Sequence, residues 1–348
     1  MFPFGKKKKK KTVQPPQKKV TQQVREMYAS IRGSIESIPG EIQTMREKMK
    51  DLAKTNTELG LFHVRSGNYN DAVFRFKMAL RFNQNYAPAF YGFGLCRHNE
   101  GYEEEAESYF RKALTANPGF VEAQYMLFHY DHKVLPERTP VGVIRERFDN
   151  EAATYNETYV GHKDYVGHEL VCAEVEKYYA DKEVKPDFLD LGCGTGLCGK
   201  LLREKRLVGT LTGVDLSLAM LTEARSFVVN YKPVYTTLVD KDYMQYLKGC
   251  EEKFDGIIAA SSFHYIKDIS AVLTACKRVL KPEGMIIFLV AKSAAREVQF
   301  LIEHDTFSYS GAYLETAIQA AGLEKVTLSE TLIYEGFAGY LVAVKTAA

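Results

Sequence analysis

The sequence has no long hydrophobic stretch. In its 348 residues, the longest uninterrupted apolar run covers residues 285–291 and has the length of a strand. A helix that crosses a bilayer needs about 20 apolar residues, so a membrane-spanning helix is excluded. The first residues also lack the apolar core of about 7–15 residues that defines a secretory signal. We therefore expect a cytoplasmic protein.

Cysteine is scarce, and no two cysteines form a C-x-x-C pair. The sequence contains six of them: Cys96, Cys172, Cys193, Cys198, Cys250 and Cys276. Paired cysteines at short spacing are typical of zinc sites, and disulfide frameworks are typical of secreted proteins. We therefore expect six reduced thiols and no zinc. Because no cluster of carboxylates or histidines suggests another metal, we predict no metal site.

Basic residues are concentrated at the start of the chain. Residues 1–19 contain eight lysines and no acid, which leaves 38 basic against 44 acidic groups in the remainder. The body of the protein thus lacks the basic excess of a nucleic-acid-binding domain. The six lysines from Lys6 to Lys11 predict a disordered polybasic tail over residues 1–20. Weak contact of this tail with an anionic membrane is the alternative.

A pattern of small and aromatic residues recurs after 34 residues. The first copy has Gly60, Gly67, Ala72, Phe76 and Ala79, and the second has Gly94, Gly101, Ala106, Phe110 and Ala113. Small residues let two helices approach closely, phenylalanine fills the space between them, and glycine permits the tight turn that joins them. The pattern resembles the tetratricopeptide repeat (TPR), a helix–turn–helix unit that stacks into a solenoid.

This resemblance implies an all-α domain over residues 21–135. Its repeats would cover about 53–86 and 87–120, with a capping helix at 121–131. The sequence departs from the usual pattern at Asn56 and Phe90, where the large aromatic residue tryptophan is common in helix A, and at Gln84, where a proline is common. TPR grooves dock protein partners, so we expect a partner or protein substrate here. A spacer or an oligomerisation element is the alternative.

A glycine-rich turn follows an apolar strand in the second half of the chain, where strands and helices alternate as in an α/β fold. The turn reads D-x-G-x-G-x-G from Asp190 to Gly196, and the next strand ends at Asp215, 19 residues further on. A carboxylate at that position can accept both hydroxyls of a ribose. The dinucleotide fingerprint G-x-G-x-x-G would need its third glycine one place later. A pyrophosphate would also be repelled by Asp190, whereas the ammonium group of a sulfonium ligand would be attracted.

This motif resembles that of class I S-adenosylmethionine-dependent methyltransferases. With the repeats, residues 55–348 look like bacterial TPR-repeat methyltransferases. The resemblance implies a Rossmann-like, seven-stranded domain over 136–348 that binds S-adenosyl-L-methionine. The residues it implies for cofactor binding are Asp190 (amino group), Gly192, Cys193, Gly194 and Gly196 (loop backbone), Asp215 (ribose), Leu216 and Met220 (adenine ring), Asp242 (adenine amino group), Tyr243, Ala260 and Tyr155.

The methyl acceptor is less defined by the sequence. The segment after the predicted fourth strand lacks the Asn/Asp-Pro-Pro-Tyr run of enzymes that methylate adenine or glutamine amides, which leaves protein lysine, carboxylate and small-molecule oxygen open. His264 in this segment is the candidate catalytic base, although it could instead hold the loop. His304 and Tyr309 are further candidates for the lining of an acceptor pocket.

Three functions agree with these features. The first is a methyltransferase whose repeats dock a protein partner or substrate. The second is a small-molecule O-methyltransferase of quinone or lipid type that uses the repeats for oligomerisation. The third is an inactive scaffold that binds the cofactor without catalysis. The presence of Asp190, all three glycines, Asp215 and Asp242 in one chain favours a working cofactor site.

Overall fold

The computed structural model describes residues 39–346, with side chains from residue 47 onward. The tail predicted over residues 1–20, with Lys6 to Lys11, lies outside the described residues. The chain divides into two compact units, Met1–Pro118 and Gly119–Ala348. Within the described part, no helix is both long enough and apolar enough to cross a membrane.

The described part of the first unit is helical. Its helices are α1 (Pro39–Arg65), α2 (Tyr69–Phe82), α3 (Ala87–Asn99) and α4 (Glu103–Ala116). Gly67 lies between α1 and α2 with φ +74°, and Gly101 lies between α3 and α4 with φ +82°. Side chains other than glycine rarely adopt this left-handed conformation, which explains a glycine at both turns. The two helix–turn–helix pairs therefore follow the 34-residue period.

Close contacts with phenylalanine explain the other two glycines of the pattern, Gly60 and Gly94. Phe76 is fully buried, and a Cβ atom added to Gly60 or Gly92 would lie 2.4 or 2.2 Å from its ring. A Cβ atom added to Gly94 would lie 2.4 Å from the Phe110 ring. The Gly60–Phe76 contact thus recurs 34 residues later as Gly94–Phe110, so glycine is required where the ring presses on a neighbouring helix.

Helix α5 (Val121–Tyr130) differs from its predicted role. The sequence pattern placed it as the cap of the repeats, in a domain ending at residue 135, whereas it belongs to the second compact unit. Phe128 packs edge-on against Phe300, with ring centroids 5.2 Å apart, and the Tyr125 hydroxyl donates to Asp305 at 2.7 Å. These aromatic side chains are buried against the sheet domain, and the boundary between the units lies near residue 118.

The second unit is an α/β domain preceded by a helical segment. The segment contains α6 (Val141–Glu151), a 3₁₀ turn (Ala152–Thr154), a π-helical turn (Asn156–His162) and α7 (Gly167–Tyr179). The strands are β1 (Phe188–Leu191), β2 (Leu211–Asp215), β3 (Val228–Val229), β4 (Lys232–Pro233), β5 (Thr237–Asp240), β6 (Phe254–Ala260), β7 (Leu280–Lys292), β8 (Gln299–Leu301), β9 (Thr306–Tyr309), β10 (Leu323–Tyr334) and β11 (Phe337–Thr346). The helices between them are α8 (Leu197–Glu204), α9 (Leu218–Ser226), α10 (Tyr243–Gly249), α11 (Ile269–Arg278) and α12 (Gly311–Ala320).

The main sheet has the strand order β10-β11-β7-β6-β1-β2-β5. Five neighbouring strands, β5, β2, β1, β6 and β7 in spatial order, are parallel. Strand β11 is antiparallel to both β7 and β10. The order reverses at β1, and this is the point at which open parallel sheets bind ligands. The Rossmann-like, seven-stranded prediction is confirmed, with β8 and β9 added beside the end of β7.

Candidate active site

Two adjoining cavities lie at the carboxyl ends of the central strands. We call the first, of about 620 Å³, the glycine-loop cleft, because Gly192 and Gly194 line it. We call the second, of about 480 Å³, the aromatic cavity, because most of its lining residues are aromatic. Four residues line both spaces: Phe148, Tyr155, Ser261 and Tyr265.

Eight of the twelve predicted cofactor residues line the glycine-loop cleft: Tyr155, Gly192, Gly194, Asp215, Leu216, Met220, Tyr243 and Ala260. Gly192 has φ +71° and Gly194 has φ +52°. A Cβ atom at Gly192 would lie 2.4 Å from the Ser262 Cβ, whereas one at Gly194 would meet no protein atom within 4 Å. Glycine thus permits close packing at the first position and leaves the cleft open at the second.

Asp215 at the end of β2 connects the loop to the cleft. One carboxylate oxygen, Oδ2, accepts the N–H of Gly194 at 2.8 Å, and Oδ1 accepts the N–H of Ser217 at 2.9 Å. Burial raises the pKa of this carboxyl group, and the backbone N–H donors oppose the rise. A carboxylate offers about four acceptor positions, so acceptor capacity remains for ligand hydroxyls.

Asp190 does not line the cleft, contrary to the expectation that it reaches toward a ligand amino group. It is buried, and its Oδ2 accepts the Tyr235 hydroxyl at 2.7 Å. Burial raises the pKa of Asp190 to about 7, and the Tyr235 hydrogen bond opposes this rise. One carboxylate oxygen of Asp190 is therefore engaged within the protein by Tyr235.

Asp242, Cys193 and Gly196 also lie outside the lining of the cleft. The Oδ2 atom of Asp242 pairs with Arg138 at 2.7 Å, and its Oδ1 caps α10 by accepting the N–H of Gln245 at 3.1 Å. Both oxygens are therefore engaged within the protein, and Arg138 lines the cleft in place of Asp242. Cys193 is buried in the apolar core behind the loop, and Gly196 begins α8 with φ +89°.

Helix α6 covers the cleft and supplies residues that the sequence pattern did not indicate. Ile144 and Phe148 line the cleft from this helix. Arg145 donates from Nε to the Leu216 carbonyl at 2.9 Å, and Asp149 accepts the Ser217 hydroxyl at 2.5 Å. These two bonds fasten α6 to the turn after β2. The bonded partners in this turn lie about 70 residues later in the chain.

The aromatic cavity contains His264 and His304, two of the predicted acceptor-side residues. The third, Tyr309, is fully buried in the core and donates its hydroxyl to the Ile266 carbonyl instead. The rings of Tyr155 and Tyr159 stack in this cavity with centroids 4.5 Å apart. Tyr155, which the resemblance implies for cofactor binding, lines both cavities.

His264 is buried, and its surroundings oppose protonation. Burial, followed by the charges of Arg147 and His304, lowers the pKa of His264 to about 3. The imidazole is therefore neutral near pH 7. A group with so low a pKa holds an abstracted proton poorly, which weakens the interpretation of His264 as a catalytic base.

Comparisons with known proteins identify the central part of the second unit. Residues 189–288 match the family described as a methyltransferase domain. Malonyl-[acyl-carrier protein] O-methyltransferase from Priestia megaterium is 27% identical over 42% of this chain and 50% of that protein. Ubiquinone biosynthesis O-methyltransferase from Pasteurella multocida is 30% identical over 29% of this chain and 44% of that protein. The chain thus spans about half the length of these curated relatives.

A solved structure shows the same fold. The crystal structure of the [4+2]-cyclase SpnF superimposes with a TM-score of 0.50 and 15% identity, covering 61% of this chain and 98% of that chain. The match to the methyltransferase-domain family and this similarity assign a class I methyltransferase fold to the second unit. Because the superimposed protein is named a cyclase, the fold alone leaves the reaction open.

Proposed function

We propose that this protein transfers a methyl group from S-adenosyl-L-methionine to an acceptor held in the aromatic cavity. The observation that carries the proposal is the pairing of two adjoining cavities, one built on the glycine loop and Asp215, the other lined by aromatic residues. When bound, the sulfonium donor supplies a methyl group with a good leaving group. The enzyme then mainly has to align the acceptor with it.

The residues present fit such a donor. Asp215 has free acceptor positions for the two ribose hydroxyls, and Leu216 and Met220 offer apolar surface to an adenine ring. The open space beside Gly194 admits the ligand close to the backbone. The loop reads D-x-G-x-G-x-G, with its third glycine one place earlier than in the dinucleotide fingerprint, which argues against a dinucleotide.

Oxygen is the proposed acceptor atom. The two curated relatives described above are both named O-methyltransferases. A small-molecule acceptor fits the enclosed aromatic cavity better than a protein side chain on an open surface would. An inactive scaffold is the alternative, and turnover of labelled donor with a suitable acid or alcohol distinguishes it.

For the helical unit, we propose docking of a protein partner through TPR-like repeats. Phe62 on α1 and Phe74 on α2 each expose 57% of their surface, and exposed aromatic residues are common at binding sites. Self-association through the same residues is the alternative. Sedimentation of the full chain separates the two, because a monomer would contradict the oligomerisation proposal.

Substitution of Gly194 tests the donor site. We expect Gly194→Ala to fold but to lose donor affinity by about tenfold or more, because the new methyl group would project into open space in the cleft. The control is Gly67→Ala in the first unit, which has a similar positive φ and also meets no protein atom within 4 Å. Calorimetric titration with S-adenosylmethionine measures both variants. Equal affinities in the two variants would count against donor binding at the loop.

A further inference from the structure

Among the residues that line the aromatic cavity, one has a permanent charge: the positive Arg147, which is ion-paired at 3.2 Å with Glu151, a residue outside the lining. Arg147 lines the cavity from α6, whereas no aspartate, glutamate or lysine is among its lining residues in the described part of the chain. The guanidinium lies beside the Phe148 ring, 5.7 Å from its centroid. The remaining walls are mostly tyrosine and phenylalanine. The cavity therefore suits a ligand with an apolar body and a negatively charged group.

Three hydrogen bonds hold the Arg147 side chain in position and leave some of its N–H groups unused. Its Nη1 donates to the His304 carbonyl at 2.9 Å, its Nη2 to the Tyr159 hydroxyl at 3.2 Å, and its Nε to Glu151 at 3.2 Å. Each Nη atom carries two hydrogens, so one on each remains for a ligand. A guanidinium with unused N–H groups can donate to the oxygens of a carboxylate.

Two residues that line the cavity each have a buried polar atom without a partner. His264 Nδ1 and Thr306 Oγ1 are buried and form no hydrogen bond within the described residues. Both residues line the aromatic cavity, and they are 6% and 3% exposed. Buried polar groups without partners cost stability. A ligand with polar atoms in this cavity would supply the missing bonds.

The low pKa of His264 bears on which methyl acceptors can react, because some acceptors must first lose a proton and others need not. Its pKa of about 3 makes it a poor acceptor for the proton of an alcohol or an ammonium group. An ammonium group would also be repelled by Arg147. A carboxylate is already ionised near pH 7 and needs no base.

We propose that the methyl acceptor is the carboxylate of an apolar or aromatic acid, bound by Arg147, Thr306 and His264, and that the product is its methyl ester. This assignment rests on the proposed function. One carboxylate oxygen uses a lone pair to bond to the methyl carbon. The carbon–sulfur bond breaks as this bond forms, and its electron pair stays on the sulfur of the donor, which becomes a neutral thioether. No proton moves in this step.

Binding of three matched probes tests the assignment. The probes are 3-phenylpropionate, 3-phenylpropan-1-ol and 3-phenylpropylamine, titrated into the full chain with and without saturating S-adenosylhomocysteine. We expect the acid to bind about tenfold more tightly than the alcohol or the amine, because it adds charge-assisted bonds to Arg147. Arg147→Gln should abolish this preference, and Arg278→Gln, which removes a charge from the exposed end of α11, should leave it unchanged.

A second variant keeps the test informative if Arg147→Gln does not fold. Thr306→Val keeps the shape of the side chain while removing its hydroxyl, and it should weaken the acid severalfold without changing the amine. Equal or tighter binding of the alcohol or amine, or no binding of the acid, would overturn the assignment. If S-adenosylhomocysteine itself does not bind, the proposed function fails, and the order of the three probes without it still reports on the cavity.

Discussion

Asp215→Asn is expected to reduce the affinity for S-adenosylmethionine by about 100-fold, since two hydrogen bonds to a charged group are weakened together. The side-chain amide has one acceptor oxygen in place of two. Its NH₂ group would face either the N–H of Gly194 or that of Ser217, both of which now donate to the carboxylate. The loop and the ligand hydroxyls therefore lose their common acceptor. Calorimetric titration of the purified variant measures the loss.

Asp240→Asn is the matched control for this substitution. Asp240 ends β5 and lies opposite Asp215 in the register of the sheet, but it does not line the glycine-loop cleft. It is exposed, with Arg145 3.8 Å away, so its removal should change affinity by about twofold at most. Full retention of binding by a folded Asp215→Asn variant, or an equal loss in the control, would show that Asp215 is not the ligand contact.

Phe76→Ala is expected to destabilise the first unit by about 3–5 kcal/mol, the usual cost of removing a buried aromatic ring. Phe76 fills the space between Gly60 and Gly92, and glycine has no side chain with which to fill the cavity that remains. Hydrogen exchange of backbone amides in α1 to α3 reports on this unit separately from the sheet domain. These amides should exchange much faster in the variant.

The control for Phe76 is on the same helix. Phe74 is 57% exposed, and Phe74→Ala should change stability by about 0.5 kcal/mol or less. Similar exchange rates in the two variants would contradict the view that Phe76 is the central packing residue of the repeat pair.

Local patterns in the sequence were sufficient to locate the loop and the repeats. The glycines from Gly192 to Gly196 and the acid at Asp215 belong to consecutive elements of a βαβ unit, so their spacing alone places them together. The recurrence of Gly60 and Phe76 after 34 residues likewise reflects one repeated contact. Both features depend on short-range geometry, which is why spacing predicts them.

Residues brought in by tertiary packing could not be predicted in this way. Arg138 reaches Asp242 across 104 residues, and Arg147 enters the aromatic cavity from α6. Asp190 was expected to contact the ligand, but it accepts a hydrogen bond from Tyr235, 45 residues later. Each of these three contacts depends on where a distant segment packs.

Titration of the wild-type full chain with S-adenosylmethionine and with S-adenosylhomocysteine tests the central claim most directly. The account predicts one site per chain for each ligand, with a dissociation constant on the order of micromolar, as is common for enzyme substrates. Absence of binding heat for both ligands, with a protein shown to be folded and monodisperse, would contradict it. The methyltransferase fold would then serve a purpose other than methyl transfer.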